Sequence, residues 1–432
     1  MSAATARPAL IGIVANEPSG DQLGALLIQA LRARRPELRF VGVAGPKMLA
    51  QGCETLLPME RLSVMGLVEV VKVLPDLLRA RRELVARLRQ RRPLVVIGVD
   101  APDFNLGLER RLRAPGLPTV HLVSPTVWAW RAGRIKQIRR SVDLMLSIFP
   151  FEAEFLRAQR VPVEYIGHPL ADEIPLAPDR EAARRALGLN PRTLVTEVAT
   201  ERALEARRTA ASETALMAGP GTALIAILPG SRRSEIDLLG PPMLETAAWC
   251  HARRPGLHFI APMVSETLHE RFDAMRRACA PEVPLRLLNG HSREAMAAAD
   301  LVLTASGTAT LETLLAKRPM VVAYRLHPLT YWLVTRLRLI KVRHAAMANL
   351  LVGRELAPEF LQERCRAELM GPALLALLDD ADRRAEIEQV YRRVHLQLKR
   401  NAARRAAEAI LALIEPRESR NISKSPYTST LA

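Results

Sequence analysis

Short apolar runs, each closed by a Pro, Gly, Ser or Asp turn and followed by a helical pattern, recur along the whole chain. Runs of this length and branching are strands buried on both faces of a parallel sheet, and the turns behind them are its loops. Ala9 to Ala15 is the first strand and Asn16-Glu-Pro-Ser-Gly-Asp21 its loop; an amphipathic helix is expected from Gln22 to about Arg34, then a strand from Phe40 to Ala44. That order implies right-handed βαβ units. Leu94–Val99, Thr119–Val123, Asp143–Ile148 and Val163–Ile166 extend the first sheet, and Gly167-His-Pro169 with Ile174–Pro178 reads as a linker. A second series follows at Leu224–Leu228, Leu257–Ala261, Leu285–Leu288, Leu301–Thr304 and Met320–Tyr324, with long helices expected over 359–414.

The fold class is therefore α/β with two Rossmann-like domains. A chain of 432 residues also exceeds what one core usually holds, about 250–300. The expected division is 1–172 and 173–415, with a surface insertion at 193–222, rich in Ala, Glu, Arg and Thr, and a disordered polar tail at 416–432.

Composition narrows the classes. Half-apolar (49%) and a quarter charged (25%), the chain is an ordinary globular one. Its formal charge of +17 is carried by Arg, because only seven of the 62 basic residues are Lys. A basic surface attracts nucleic acid, an anionic membrane face or phosphorylated substrates. Nucleic acid is the poorest of the three, since there is no zinc-finger spacing and aromatics, at 4%, are too few for a stacking platform. Cys53, Cys250, Cys279 and Cys365 are scattered, which fits a reducing compartment and gives neither a disulfide framework nor a zinc site. No apolar run reaches the ~18–20 residues that span a bilayer.

The chemistry sits in the loops. Leu224–Leu228 breaks at Pro229-Gly230-Ser231-Arg232 before a helix beginning near Ser234, which Ser231 is placed to cap. A loop at a strand's carboxyl end, opening a helix, offers backbone N–H groups and the helix dipole to an anion, and Arg232 adds a fork of donors. Ser306-Gly307-Thr308 repeats the arrangement after Leu301–Thr304, and two such loops in one half of the chain suggest a diphosphate. In the first half Glu17, Ser19 and Asp21 lie at the sheet's carboxyl edge, with Gly20 permitting close backbone approach, although capping by Ser19 or Asp21 would explain much of the loop without function. Leu94–Val99 ends in Asp100-Ala-Pro-Asp103. Asp103 is most simply an N-cap, whereas Asp100, set before Pro102, is not explained by that cap and is the better catalytic candidate.

Other stretches leave two readings open. Residues 61–92 crowd Leu62, Val64, Met65, Leu67, Val68, Val70, Val71, Val73 and Leu74 ahead of seven arginines, either a buried segment followed by a solvated helix or a surface for acyl chains and anionic headgroups. Trp128 and Trp130 either pack on a sugar or staple the next helix. Asp380-Ala-Asp382 has a metal-binding form but sits between helical patterns, where it is a turn and cap, so no metal ligand is assigned.

Taken in order, Ser19-Gly20-Asp21, Gly42-Val-Ala-Gly-Pro46, Val64-Met-Gly66, Gly98-Val-Asp-Ala-Pro-Asp-Phe-Asn105, Ser124-Pro-x-Val-Trp-Ala-Trp-Arg131, Phe149-Pro-Phe-Glu152, Pro229-Gly-Ser-Arg232, Ala305-Ser-Gly-Thr308 and Asn349-Leu-Leu resemble the lipid-A-disaccharide synthases. The resemblance covers nearly everything outside 1–8, 193–222 and 416–432. It implies the GT-B glycosyltransferase fold, two Rossmann-like domains facing a cleft, with the donor nucleotide held mainly by the second. It also implies the reaction, in which UDP-2,3-diacylglucosamine and 2,3-diacylglucosamine 1-phosphate give a β-1,6-linked disaccharide and UDP at the cytoplasmic face of the inner membrane, without a cofactor. On this resemblance Asp100 is the base, with Glu17 next in line. Arg232 clamps the diphosphate beside Gly230 and Ser231. Ser306, Gly307 and Thr308 cradle phosphate, Glu312 takes the ribose hydroxyls, and Asn349 matches a further motif position. Ser19, Gly20 and Asp103 fall on the acceptor side. A homodimer stays open. Asn16-Glu-Pro18 departs from the family's usual Gly-Glu-Ala, and Arg343–Asn349 from Tyr-Val-Ser-Leu-Pro-Asn. The rivals are a UDP-sugar epimerase of the same shape, which makes no disaccharide, and a non-enzymatic basic membrane-binding protein, which has no saturable UDP site.

Overall fold

The computed structural model describes residues 9–62, 67–127, 132–189, 223–326, 331, 336 and 344–422, excluding the side chains of 67–73, 132 and 416–422. The insertion 193–222, Val64–Gly66, Trp128, Trp130 and 423–432 of the tail lie outside the described residues, whereas 416–422, expected to be disordered, continues the last helix.

The apolar runs form two sheets, each wholly parallel. The first contains β1 (Leu10–Ala15), β2 (Arg39–Ala44), β3 (Cys53–Pro58), β4 (Val95–Val99), β5 (Thr119–Leu122), β6 (Leu144–Ser147) and β7 (Val163–Tyr165), in the order β3-β2-β1-β4-β5-β6-β7. The second contains β8 (Ala223–Leu228), β9 (Leu257–Met263), β10 (Leu285–Asn289), β11 (Leu301–Ala305), β12 (Met320–Tyr324) and β13 (Glu359–Leu361), in the order β10-β9-β8-β11-β12-β13. Both wind outward for three strands, return to the middle and wind the other way. Every residue of β4 and β11 is buried, as strands covered by helices on both faces must be.

The structure differs from the sequence reading in three places. The first helix begins at Pro18 with Glu17 at its N-cap, not at Gln22, because proline at the first helical position has the required φ and its missing N–H costs nothing. β3 and β13, unforeseen, are sheet-edge strands. Glu359–Leu361 thus pairs with β12 where helix was expected, and the helices resume at Ala367.

The third difference is the end of the second domain. The compact units are 1–172 with 398–432, and 173–397, so the last helix, Ala402–Ile422, belongs to the first domain and not to a second running to 415. The cause is a set of polar anchors. Asp172 accepts hydrogen bonds from Asn401 N (2.9 Å) and Ala402 N (2.6 Å), capping the helix, Arg405 pairs with Glu164 at 2.8 Å, and Arg34 pairs with Glu408.

Within the first domain, the helix Leu67–Arg91 has a buried face at Ala80, Leu84 and Leu88, packed with Phe104, Leu108 and Leu112. The arginine-rich stretch expected as a solvated helix therefore buries one face, while the side chains of 67–73, in the stretch expected to be buried, lie outside the described residues. Leu74, 46% exposed, and the exposed Arg79 lie outside that buried face. No helix among the described residues is long and apolar enough to cross a membrane.

Candidate active site

Each sheet has one point where adjacent strands lead their connections in opposite directions, and in open α/β sheets ligands bind outside the carboxyl ends there. In the first domain it lies between β1 and β4, whose ends sit side by side through Val14↔Gly98 and Ala15↔Val99. The loops leaving those ends and the first turns of the helices behind them carry Glu17, Ser19, Gly20, Asp100 and Asp103. Glu17 and Ser19 are exposed; Gly20 is buried where an added Cβ would stand 3.5 Å from the Val99 carbonyl.

Asp100 follows β4 directly. Its N–H donates to Leu122 O at 2.8 Å, its φ is +52°, and no described residue hydrogen-bonds its half-buried carboxylate. Asp103 is not the N-cap expected of it. Ala101 takes the N-cap position, because the chain turns through the left-handed region before Pro102, and Asp103 lands in the first helical turn, paired with Arg134. Asp21 is also withdrawn from the edge: almost fully buried, it accepts from Gly45 N (3.0 Å), Lys47 N (2.9 Å) and Met48 N (3.0 Å), capping the helix Pro46–Ala50.

The second domain repeats the geometry. Its switch point lies between β8 and β11, in register through Leu301↔Ile225 to Thr304↔Leu228, which brings Gly230, Ser231 and Arg232 beside Ser306, Gly307 and Thr308. Arg232, whose side chain is 73% exposed, is the N-cap of the helix Arg233–Arg253, a position expected for Ser231. Glu235 Oε2 reaches back to Ser231 N (2.9 Å) and Arg232 N (3.3 Å), so those two N–H groups are spent on a carboxylate of the protein. The exposed Arg232 guanidinium stands 3.4 Å from Glu235 Oε1. The sequence signature of such a cap is Ser or Thr three residues before Glu, and an arginine at the N-cap conceals it.

Ser306 donates from Oγ to Ala345 O at 2.8 Å, while Gly307 (φ +125°) and Thr308 are exposed at the start of the helix Thr308–Leu315. Glu312 lies one turn along, mostly buried, 3.5 Å from Arg293, which also pairs with Glu173 at 3.0 Å. Burial pushes the Glu312 carboxyl up and Arg293 pulls it back. It lines a cavity of about 340 Å³ with Ile174, Pro178, Arg293 and Met296.

Asn349 is corrected. Fully buried, it donates from Nδ2 to Ala357 O and Glu359 Oε1 (both 2.7 Å) and accepts at Oδ1 from Leu356 N (2.8 Å) and Ala357 N (2.9 Å). Nothing is left to offer a ligand. Glu359 in turn holds Ala345 N and Ala346 N at 2.7 and 3.1 Å, so the pair shapes the segment to which Ser306 is tied. Asp380, from the Asp-x-Asp pattern, caps the helix that follows through Arg383 N (2.8 Å).

Two parallel doubly wound sheets, each with a polar loop pair at its switch point, define a GT-B-type protein. Solved structures share the architecture at low identity. They include a putative UDP-N-acetylglucosamine 2-epimerase from Listeria monocytogenes (TM-score 0.55, 14% identity, covering 96% of this chain and 98% of that one) and the kitacinnamycin glycotransferase (0.56, 17%, 94% and 99%). Sequence goes further. The model of the family described as lipid-A-disaccharide synthetase matches residues 11–212 and 197–414. The lipid-A-disaccharide synthase of Azotobacter vinelandii is 48% identical over 406 residues (94% of this chain, 98% of that protein), and that of Pseudomonas aeruginosa PA14 is 47% identical over 407 (94% and 98%). The chain belongs to the lipid-A-disaccharide synthase family of glycosyltransferases.

Proposed function

We propose that the chain condenses UDP-2,3-diacylglucosamine with 2,3-diacylglucosamine 1-phosphate in a single inverting displacement, the disaccharide-forming step of lipid A synthesis. The Asp100 carboxylate takes the proton of the acceptor's 6-hydroxyl as that oxygen bonds to the anomeric carbon. The bond from that carbon to UDP breaks, and the electron pair leaves on the diphosphate. Arg232, with the exposed Gly307-Thr308 turn opening its helix, offsets the charge that develops there. Glu312 receives the ribose hydroxyls, displacing part of its contact with Arg293. Glu17 and Ser19 flank the acceptor. The observation that carries this reading is the placement of Asp100 at one domain's switch point and of Arg232 and Ser306–Thr308 at the other's.

The test is incubation of the purified chain with the diacylated UDP donor and the acylated sugar phosphate. UDP and a disaccharide are expected; an epimerised donor with no disaccharide would assign the protein to the epimerases that share its fold.

The acylated substrates place the reaction at an anionic membrane face, which we assign to residues 61–92. Leu74 and Arg79 are exposed there, and basic residues near such a face add roughly 1 kcal/mol each, screened by salt. Wild type should sediment with anionic vesicles at low salt and be partly released at high salt. A folded variant with Val68, Val71 and Arg79 changed to Ser should stay in the supernatant, and equal sedimentation of both returns the stretch to a purely structural role.

A further inference from the structure

We infer that Asn105 is a positioning residue for Asp100, holding the left-handed Asp100–Ala101 turn from beneath so that the side chain leaves the backbone in one direction; this rests on Asp100 being the base. Asp100 (φ +52°) and Ala101 (φ +43°, ψ 58°) are consecutive non-glycine residues in a region where Cβ crowds the following carbonyl. Such a turn persists only when its surroundings over-determine it.

Asn105 supplies that determination. Its Nδ2 donates to both Val99 O (3.2 Å) and Asp100 O (2.8 Å), and its main-chain N–H donates to Ala101 O (3.0 Å). From the other side the Asp100 N–H is held by Leu122 O of β5 at 2.8 Å. With both the N–H and the carbonyl of Asp100 fixed, its φ and ψ are fixed, and these set the direction in which its side chain leaves the backbone. A buried apolar residue at 105 would have no N–H to give the two carbonyls.

The amide is itself held in place. Asn105 is fully buried, and a Cβ at Gly98 would come within 2.9 Å of its own Cβ and collide with Glu109 Oε1. Glu109, one turn further along the helix Pro102–Arg113, meets His121 Nδ1 at 2.7 Å, and His121 pairs with Gly98 in the β4–β5 register. Two polar ties beneath the carboxyl end of β4 therefore lock the helix that carries Asn105. Only the upper one touches the turn.

The experiment compares the full-length chain with Asn105→Ala, Asp100→Asn, Ala101→Gly and the double variant Asn105→Ala/Ala101→Gly. A misplacement of the reacting group should cost Asn105→Ala about 100-fold in kcat, with KM for both substrates and the Kd for UDP changed by no more than about threefold. Glycine takes the left-handed region without a Cβ penalty, so the double variant should regain about tenfold in kcat over Asn105→Ala. A residue that served stability alone would lower Tm and show no such recovery. If Asn105→Ala does not fold, Asn105→Ser, which keeps one donor, carries the same comparison. Full turnover in Asn105→Ala beside an inactive Asp100→Asn overturns the positioning role and leaves the base in place. Normal turnover in Asp100→Asn overturns the base and this inference with it. A loss of kcat that Ala101→Gly does not recover overturns the inference alone.

Discussion

The two switch points use the same strand-loop-helix unit and turn it with opposite residues. In the first domain the corner is Asp100-Ala101, side-chain-bearing residues at φ +52° and +43°; in the second it is Gly230 and Gly307, both at φ +125°. Each non-glycine residue in such a region costs on the order of 1–3 kcal/mol, and glycine avoids it. The difference follows from what each corner presents. The glycine turn at Gly307 leaves the main chain and the start of a helix exposed, and that at Gly230 lies against Glu235, while a corner that presents a carboxylate must carry a side chain and be braced from below. Gly307 has no heavy atom within 4 Å of where a Cβ would stand, so its requirement is conformational.

The sharpest break between the domains is Asp100→Asn. General-base catalysis commonly supplies about 10²–10⁴-fold, so turnover should fall by that factor while the Kd for UDP, measured by calorimetry, stays at the wild-type value. Near-normal turnover would pass the role to Glu17.

Arg232→Ala is the reciprocal case and should act on donor binding. A charge-assisted contact to phosphate contributes roughly 1.5–3 kcal/mol, or about 10–100-fold in UDP affinity. Unchanged binding in a folded variant would take Arg232 out of the site.

Gly307→Ala is the mildest. The added Cβ meets no neighbour, so the cost is the backbone strain alone, and UDP affinity should weaken by about tenfold or less with a small fall in Tm. Affinity and Tm equal to wild type would show that this corner needs no glycine, and the contrast between the two domains would lose its physical basis.

Local patterning made most of the strands and the loops behind them legible. An apolar run, a breaker and a helical repeat lie within some twenty residues of one another, and a loop at a parallel strand's end has only one edge to occupy. The order of motifs carried the family as well. Hydrogen bonds between distant segments were not legible. Asn349 is spent on Ala357 and Glu359, and Asp21 on the turn at Gly45–Met48, partners that no local pattern names. Asn105 sat inside a recognised motif without a role, because its partners become carbonyls within reach only once β4 ends in a left-handed turn. The last helix carries a pattern that suits either domain, and the cap from Asp172, 230 residues away from Ala402, returns it to the first. Sequence determined most of the strands and helices and the residue types their loops carry, since those depend on near neighbours. Only the tertiary structure decided which polar groups are already satisfied, since that depends on what the fold brings against them.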